Sequence, residues 1–236
     1  MTPMDEARFA LAGKDSTYRA IRALILEGSL APGAPIVEAE MADRLGVSRT
    51  PVRSALHRLQ QDGYVLLSKR GRKSRLLVSP LTREDGREVY HIVGALDALV
   101  AWRAARLSAD AREELVIRMA GINESLSLAG QAVPMDFPRL LELHGSFHAA
   151  FFDAVDAPRL KALHSNVRPQ ADRYRRIYSS IAHGQQEPSA EEHGRIIEAI
   201  RAGDPVEAHC ATMEHWMGAA ERLCQIIEIL GEHGAW

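Results

Sequence analysis

Apolar residues recur along this chain with two different periods, and the change of period divides it. Between residues 15 and 28, Tyr18, Ile21, Leu24 and Ile25 stand at helical spacing and predict a first helix. Pro32 and Gly33, within SLAPGAP, end it in a turn. A short second helix is expected over 37–45, stopping at Gly46, a residue suited to the left-handed position past a helix end. Ser48 then serves as N-cap of a third helix, and Pro51 is tolerated in its first turn, where N–H groups have no helical partner. On that helix Val52, Ala55, Leu56 and Leu59 share one arc. After Gly63 the pattern becomes that of strands: YVLLS, a basic turn KRGRKS, then RLLVSP. Helix, helix, turn, helix and a two-stranded wing describe a winged helix-turn-helix.

Beyond about residue 81 the period is helical throughout, with segments near 83–108, 110–129, 136–155, 158–181, 189–202 and 204–231. Breaks fall at Gly130, Ala157-Pro158, HGQQEPSAEE and Gly203-Asp204-Pro205. Asp204, Pro205 and Glu207 read as a helix start, with an acidic cap, proline at the first position and an acid in the first turn. The expected fold is mainly α: an N-terminal winged helix-turn-helix over 1–78, then an all-α antiparallel helical bundle over 79–236.

Composition narrows the classes. Hydrophobic residues make up 46% and charged residues 25% of the 236, which fits ordered globular domains. No apolar run approaches the ~20 residues of a membrane span. The first residues, MTPMDEARFALAGKDS, include acids and lack the long apolar core of a signal peptide. Two cysteines, Cys210 and Cys224, are too few for a disulfide framework, so the expected compartment is the cytoplasm.

Charge placement then points to a partner. The net charge is −2, yet Gly46 to Arg75 holds eight basic residues against the single acid Asp62. A basic cluster on an otherwise acidic chain is a local phosphate-binding surface. The wet arc of the third helix carries Arg49, Thr50, Arg53, Ser54, His57 and Gln60, two arginines and no acid, and Arg58 belongs to the same basic run. Arginine on such a helix can bond guanine O6 and N7 in the major groove. Lys69, Arg70, Arg72, Lys73 and Arg75 of the wing would hold phosphates or enter the minor groove, with Gly71 permitting close backbone approach. Double-stranded DNA is the expected partner. One short helix reads only a few base pairs, so a homodimer on a near-palindromic operator is expected too.

The run PGAPIVEAEMADRLGVSRTPVRSALHRLQQDGYV, followed by the glycine-centred basic wing, resembles the DNA-binding domain of GntR-type bacterial transcriptional regulators. That resemblance implies DNA contacts at Ser48, Arg49, Thr50, Arg53 and Gly71. Ala39 stands where some members carry an arginine that reaches DNA.

In the bundle, FPRLLELHGSFHAAFFDAV places Leu140, Leu141, Leu143, Phe147, Phe151 and Val155 on one arc, with His144 and His148 inside it. His193 shares an arc with Ile196, Ile197 and Ile200, and His215 one with Ala208, Ala211 and Ala219. The i,i+4 spacing of His144 and His148 suits chelation of one ion. His193 and His215 stand ten and eleven residues either side of the Gly203-Asp204 break, at nearly one height in an antiparallel helix pair. Four inward imidazoles each need a partner, and a divalent metal would satisfy all of them. Zinc is the first expectation, with nickel, copper or iron(II) compatible. His91, His164, His183, His209 and His233 show no such convergence.

The segments F..L......FH, EHGRIIEAIRAGD and A......H resemble the FCD effector domain of the FadR branch of GntR regulators, and the short bundle resembles its VanR-like subgroup. In metal-containing members the positions matching His144, His148, His193 and His215 hold the ion. His144 stands where Asp or Asn is usual, Val93 where arginine is common, and Asp97 where Glu is usual. The implied function is a one-component regulator, a repressor, whose operator affinity responds to a small carboxylate at the metal, helped by Arg175 or Arg222. The alternative is a metal-dependent enzyme with a DNA-binding appendage, which requires a general base beside an open metal position. The sequence holds no HExxH, Ser-His-Asp pattern or glycine-rich phosphate loop, and Glu192 projects away from the adjacent His193. The reading is therefore a regulator and no enzyme.

Overall fold

The computed structural model describes residues 3–68, 74–181 and 189–234. Its contacts divide the chain into two units, Met1–Thr82 with Gly231–Trp236, and Arg83–Leu230.

The first unit contains α1 (Pro3–Leu26), β1 (Pro35–Ile36), α2 (Glu38–Leu45), α3 (Arg49–Gln61), β2 (Val65–Ser68) and β3 (Arg75–Val78). The apolar arc of α3 is its centre. Val52, Ala55, Leu56 and Leu59 are fully buried against Tyr18, Ile21 and Ile25 of α1, Met41 and Ala42 of α2, and Tyr64. Gly46 closes α2 at φ +65°, its N–H bonded to the carbonyls of Ala42 and Asp43, a conformation that favours glycine. Ser48 occupies the N-cap of α3 with extended backbone, but its hydroxyl makes no cap bond and stays exposed. The wing strands pair antiparallel, Val65 opposite Val78 and Ser68 opposite Arg75.

Two elements depart from the sequence reading. β1 adds a third strand in the order β1-β3-β2, pairing Pro35 with Leu77 and Ile36 with Leu76. Two residues are too few to show a period, and Pro35 is tolerated because β1 is an edge. α1 begins at Pro3 rather than near residue 15, because helix formers on either side outweigh the single Gly13. The last residues return to this unit, where the N–H groups of Leu81 and His233 bond each other's carbonyls.

The second unit is helical: α4 (Arg83–Ala104), α5 (Ala109–Gln131), α6 (Phe137–Ala154), α7 (Pro158–Ile181), α8 (Ser189–Ala202) and α9 (Pro205–Leu230). Asp204 starts α9 as expected, its Oδ1 accepting from the N–H groups of Val206 and Glu207. Val100, Met119, Phe147, Phe151, Ile196, Ile200 and Ala211 interdigitate in the core. α4 lies close along α9, because Gly94 has no side chain: a Cβ there would stand 2.6 Å from Cβ of Trp216. Among the described residues no helix is long and apolar enough to cross a membrane.

Candidate metal centre and nucleic-acid interface

On α3 the residues expected to face DNA are all exposed: Arg49, Thr50, Arg53 and His57, with Ser48 just before them. Thr50, Arg53, Ser54 and His57 line one shallow depression. The arc is not free of acids once α2 is in place. Arg53 grips Glu38 in a two-pronged ion pair, with Nη2 2.8 Å and Nε 3.1 Å from the carboxylate. The Arg53 guanidinium holds the Glu38 carboxyl below its usual range. A wheel drawn for α3 alone could not show this partner. Arg58 turns the other way, its Nη1 2.9 Å from Asp15 and its guanidinium 4.1 Å over the Tyr18 ring. It braces α3 against α1. The expected contacts at Lys69, Arg70, Gly71 and Lys73 lie outside the described residues.

In the bundle, α6 supplies His144 and His148, α8 supplies His193 and α9 supplies His215. All four are no more than 2% exposed, and one nitrogen from each lies within 4.8 Å of the others. Each Nδ1 has a neighbour. His148 Nδ1 stands 2.9 Å from Asp97 Oδ2, His193 Nδ1 3.1 Å from Asn123 Oδ1, and His215 Nδ1 2.7 Å from Glu192 Oε2. His144 Nδ1 meets a different chemistry, 3.4 Å from Nη2 of Arg168. The four Nε2 atoms are buried with no hydrogen-bond partner. Four orphaned ring nitrogens in one place are costly, and a divalent cation is a group that takes them all. Tetrahedral zinc needs nitrogens roughly 3.4 Å apart, so this cluster is looser than a closed four-ligand site.

Electrostatics suit neutral ligands. Burial drives the His148 imidazole down to about 3, against the opposing pull of Asp97. Burial, with the nearby Arg175 charge, holds His144 well below its usual value, and burial does the same to His193. Asp97 is itself buried, yet hydrogen bonds from His148 and His164 keep its carboxyl below the usual range. Trp216 Nε1 donates to the same carboxylate at 3.0 Å. Such carboxylate–imidazole pairs fix ring orientation and raise ligand basicity in metal sites.

Several of these supports escaped the sequence. His164 reads as ordinary, but its Nε2 stands 3.2 Å from Asp97 and its ring stacks on Phe152. Glu192 does turn from His193, yet it reaches His215 on the next helix. Arg222 holds Glu192 at 2.9 and 3.0 Å, so it acts behind His215. Arg175 is buried. One signal was visible for Asp97, a lone acid inside the apolar run VYHIVGALDALVAW.

Known proteins share this plan. Residues 14–72 match the family described as bacterial regulatory proteins, gntR family, and residues 88–218 match the FCD domain. An HTH-type transcriptional regulator from the TAR-I ttuE-ttuC' intergenic region of Agrobacterium vitis is 37% identical over 120 residues, covering 50% of this chain and 68% of its own. The HTH-type transcriptional repressor RspR of Escherichia coli K12 is 28% identical over 216 residues, 89% of this chain and 88% of its own. In fold, the chain is similar to a putative transcriptional regulator GntR from Rhodococcus sp. RHA1, with TM-score 0.62 and 21% identity over 89% of this chain and 96% of that one. These relatives are regulators rather than enzymes, and this chain belongs with them: it is a transcriptional regulator of the GntR family carrying an FCD domain.

Proposed function

We propose that this regulator is a cytoplasmic repressor whose grip on a near-palindromic operator is controlled by a small carboxylate bound at a metal centre in its helical unit. The observation that carries the reading is the convergence of four buried, partnerless Nε2 atoms from His144, His148, His193 and His215. A divalent ion held in this cluster, zinc before nickel or another transition metal, would supply Lewis acidity toward an incoming anion. Neutral imidazoles bring no negative charge, and the buried Arg175 and Arg168 add positive charge, so the site favours an anion. Arg222 contributes through Glu192. The repressor sign follows the name of the RspR relative. Titrating the metal-stripped full chain with zinc tests the reading: about one ion per chain supports it, and no saturable binding contradicts it.

At the operator, Arg49 and Arg53 read bases, with Ser48, Thr50 and His57 beside them, while Lys69, Arg70 and Lys73 position phosphates and Gly71 lets the wing approach. To read a base, Arg53 must exchange Glu38 for the base edge. Arg53→Ala should cost about 1–3 kcal/mol on operator DNA and relax specificity, whereas Lys73→Ala should weaken all sequences alike. Fluorescence anisotropy on operator and scrambled duplexes decides it, and equal losses on both for Arg53→Ala would contradict base reading.

Two copies supply the two half-sites. Ile92 and Leu99 on α4 are 42% and 45% exposed and one heptad apart, an apolar stripe that a second copy would cover. Sedimentation at micromolar concentration should give twice the 26.0 kDa chain mass, and a monomer with or without operator would overturn the dimer.

A further inference from the structure

The four histidines are not chemically equivalent. Three of them face oxygen acceptors through Nδ1. His148 Nδ1 stands 2.9 Å from Asp97 Oδ2 and His215 Nδ1 2.7 Å from Glu192 Oε2, both carboxylate oxygens. Asn123 is oriented by its own amide, whose Nδ2 donates to the Ala190 carbonyl at 3.0 Å, which turns Oδ1 to His193. A neutral imidazole facing an acceptor through Nδ1 carries its proton there and presents an Nε2 lone pair. His148, His193 and His215 are therefore set as ligands.

His144 faces a guanidinium, which has donors only. Its Nδ1 must accept, so its single proton sits on Nε2, the ring nitrogen buried without a partner. Arg168 is 7% exposed, anchored by Asp172 at 3.0 Å and lying 5.2 Å over the Trp216 ring, so it cannot readily turn away. Its Nη1 is also buried without a hydrogen-bond partner.

Resting on the metal reading above, we propose that the centre binds its ion through His148, His193 and His215 only, and that His144, held by Arg168, is a hydrogen-bond donor that selects a carboxylate at the ion's open position. Three neutral nitrogens leave a dication uncompensated, and an anion beside it would accept from His144 Nε2–H. Arg168 is a positioning residue, setting which nitrogen of His144 carries the proton.

Two measurements on the full chain test this. Long-range proton–nitrogen correlation NMR of metal-free, histidine-labelled protein should show Nε2–H at His144 and Nδ1–H at the other three. Arg168→Glu replaces the donor by an acceptor and should move the His144 proton to Nδ1, with Arg168→Met as the variant that keeps volume and adds no charge. Nδ1–H at His144 in the wild type would overturn the assignment. Cobalt(II) absorption supplies the second readout, with acetate as the probe anion. His144→Ala should keep cobalt within about tenfold but lose at least about tenfold in acetate affinity. Cobalt lost as fully in His144→Ala as in His148→Ala would make His144 a ligand and overturn the proposal. No cobalt uptake by the wild type would instead overturn the metal reading, and the anion role with it.

Discussion

His148→Ala and His193→Ala are expected to lose the metal, lowering zinc affinity by more than about 100-fold relative to the wild type. Removing a partner behind a ligand already costs about 10–100-fold, and these substitutions remove the ligating nitrogen itself. Each also removes one partner of its support, Asp97 for His148 and Asn123 for His193. The fold should survive, because a histidine shortened to alanine leaves Phe147, Phe151, Ile196 and Ile200 in place. Competition against a chelating dye, with circular dichroism on the same samples, makes the measurement. Wild-type zinc affinity in both variants, with helicity retained, would remove the cluster from metal binding.

Acid should destabilise the metal-free protein steeply between pH 6.5 and 5. Burial holds His148 at about 3 and keeps His144 and His193 well below their usual value, whereas in the unfolded chain all three titrate near 6.5. Above pH 6.5 both states hold these rings neutral, and nothing is lost. Below it the unfolded state binds protons that the folded state refuses, so stability falls by about 1.4 kcal/mol per pH unit for each histidine. By pH 5 the three together approach an upper bound of about 6 kcal/mol, much of the stability of an ordinary domain. The carboxylates do not cancel this. Asp97 and Glu192 have lowered folded values, so their contribution persists above the unfolded carboxylate range and is lost only at lower pH. Urea unfolding of stripped protein at pH 7, 6 and 5 should show the midpoint dropping, and His148→Gln should flatten the slope. A midpoint unchanged from pH 7 to 5 would contradict neutral burial of these rings.

Where a signal is carried by one helix or one break, the sequence displayed it. The buried arc of α3 is a 3.6-residue period, and the i,i+4 spacing of His144 and His148 puts both rings on one face. The Asp204-Pro205 start fixes the phase of α9, which brings His215 level with His193. What could not be read depends on which helix packs beside which. The partners of the four Nδ1 atoms come from α4, α5, α7 and α8, and none of those residues has a local reason to face a histidine. Glu38 is equally hidden, because it belongs to α2 while Arg53 belongs to α3. β1 shows no period at all, since its two residues are ordered by β3 rather than by their own pattern.

Whether the carboxylate acts through the metal is tested by one titration. Operator duplexes obtained by selection from random DNA are bound to zinc-loaded and zinc-stripped full-length protein, and a panel of small carboxylic acids is added to each. A ligand that binds one arrangement of the helices better than another must shift operator affinity, and the shift depends on the ion if the ion is where the acid binds. An acid should release operator from the loaded protein and fail to release it from the stripped protein at the same concentration. Equal release from both would contradict it, leaving the four histidines a structural role in the bundle.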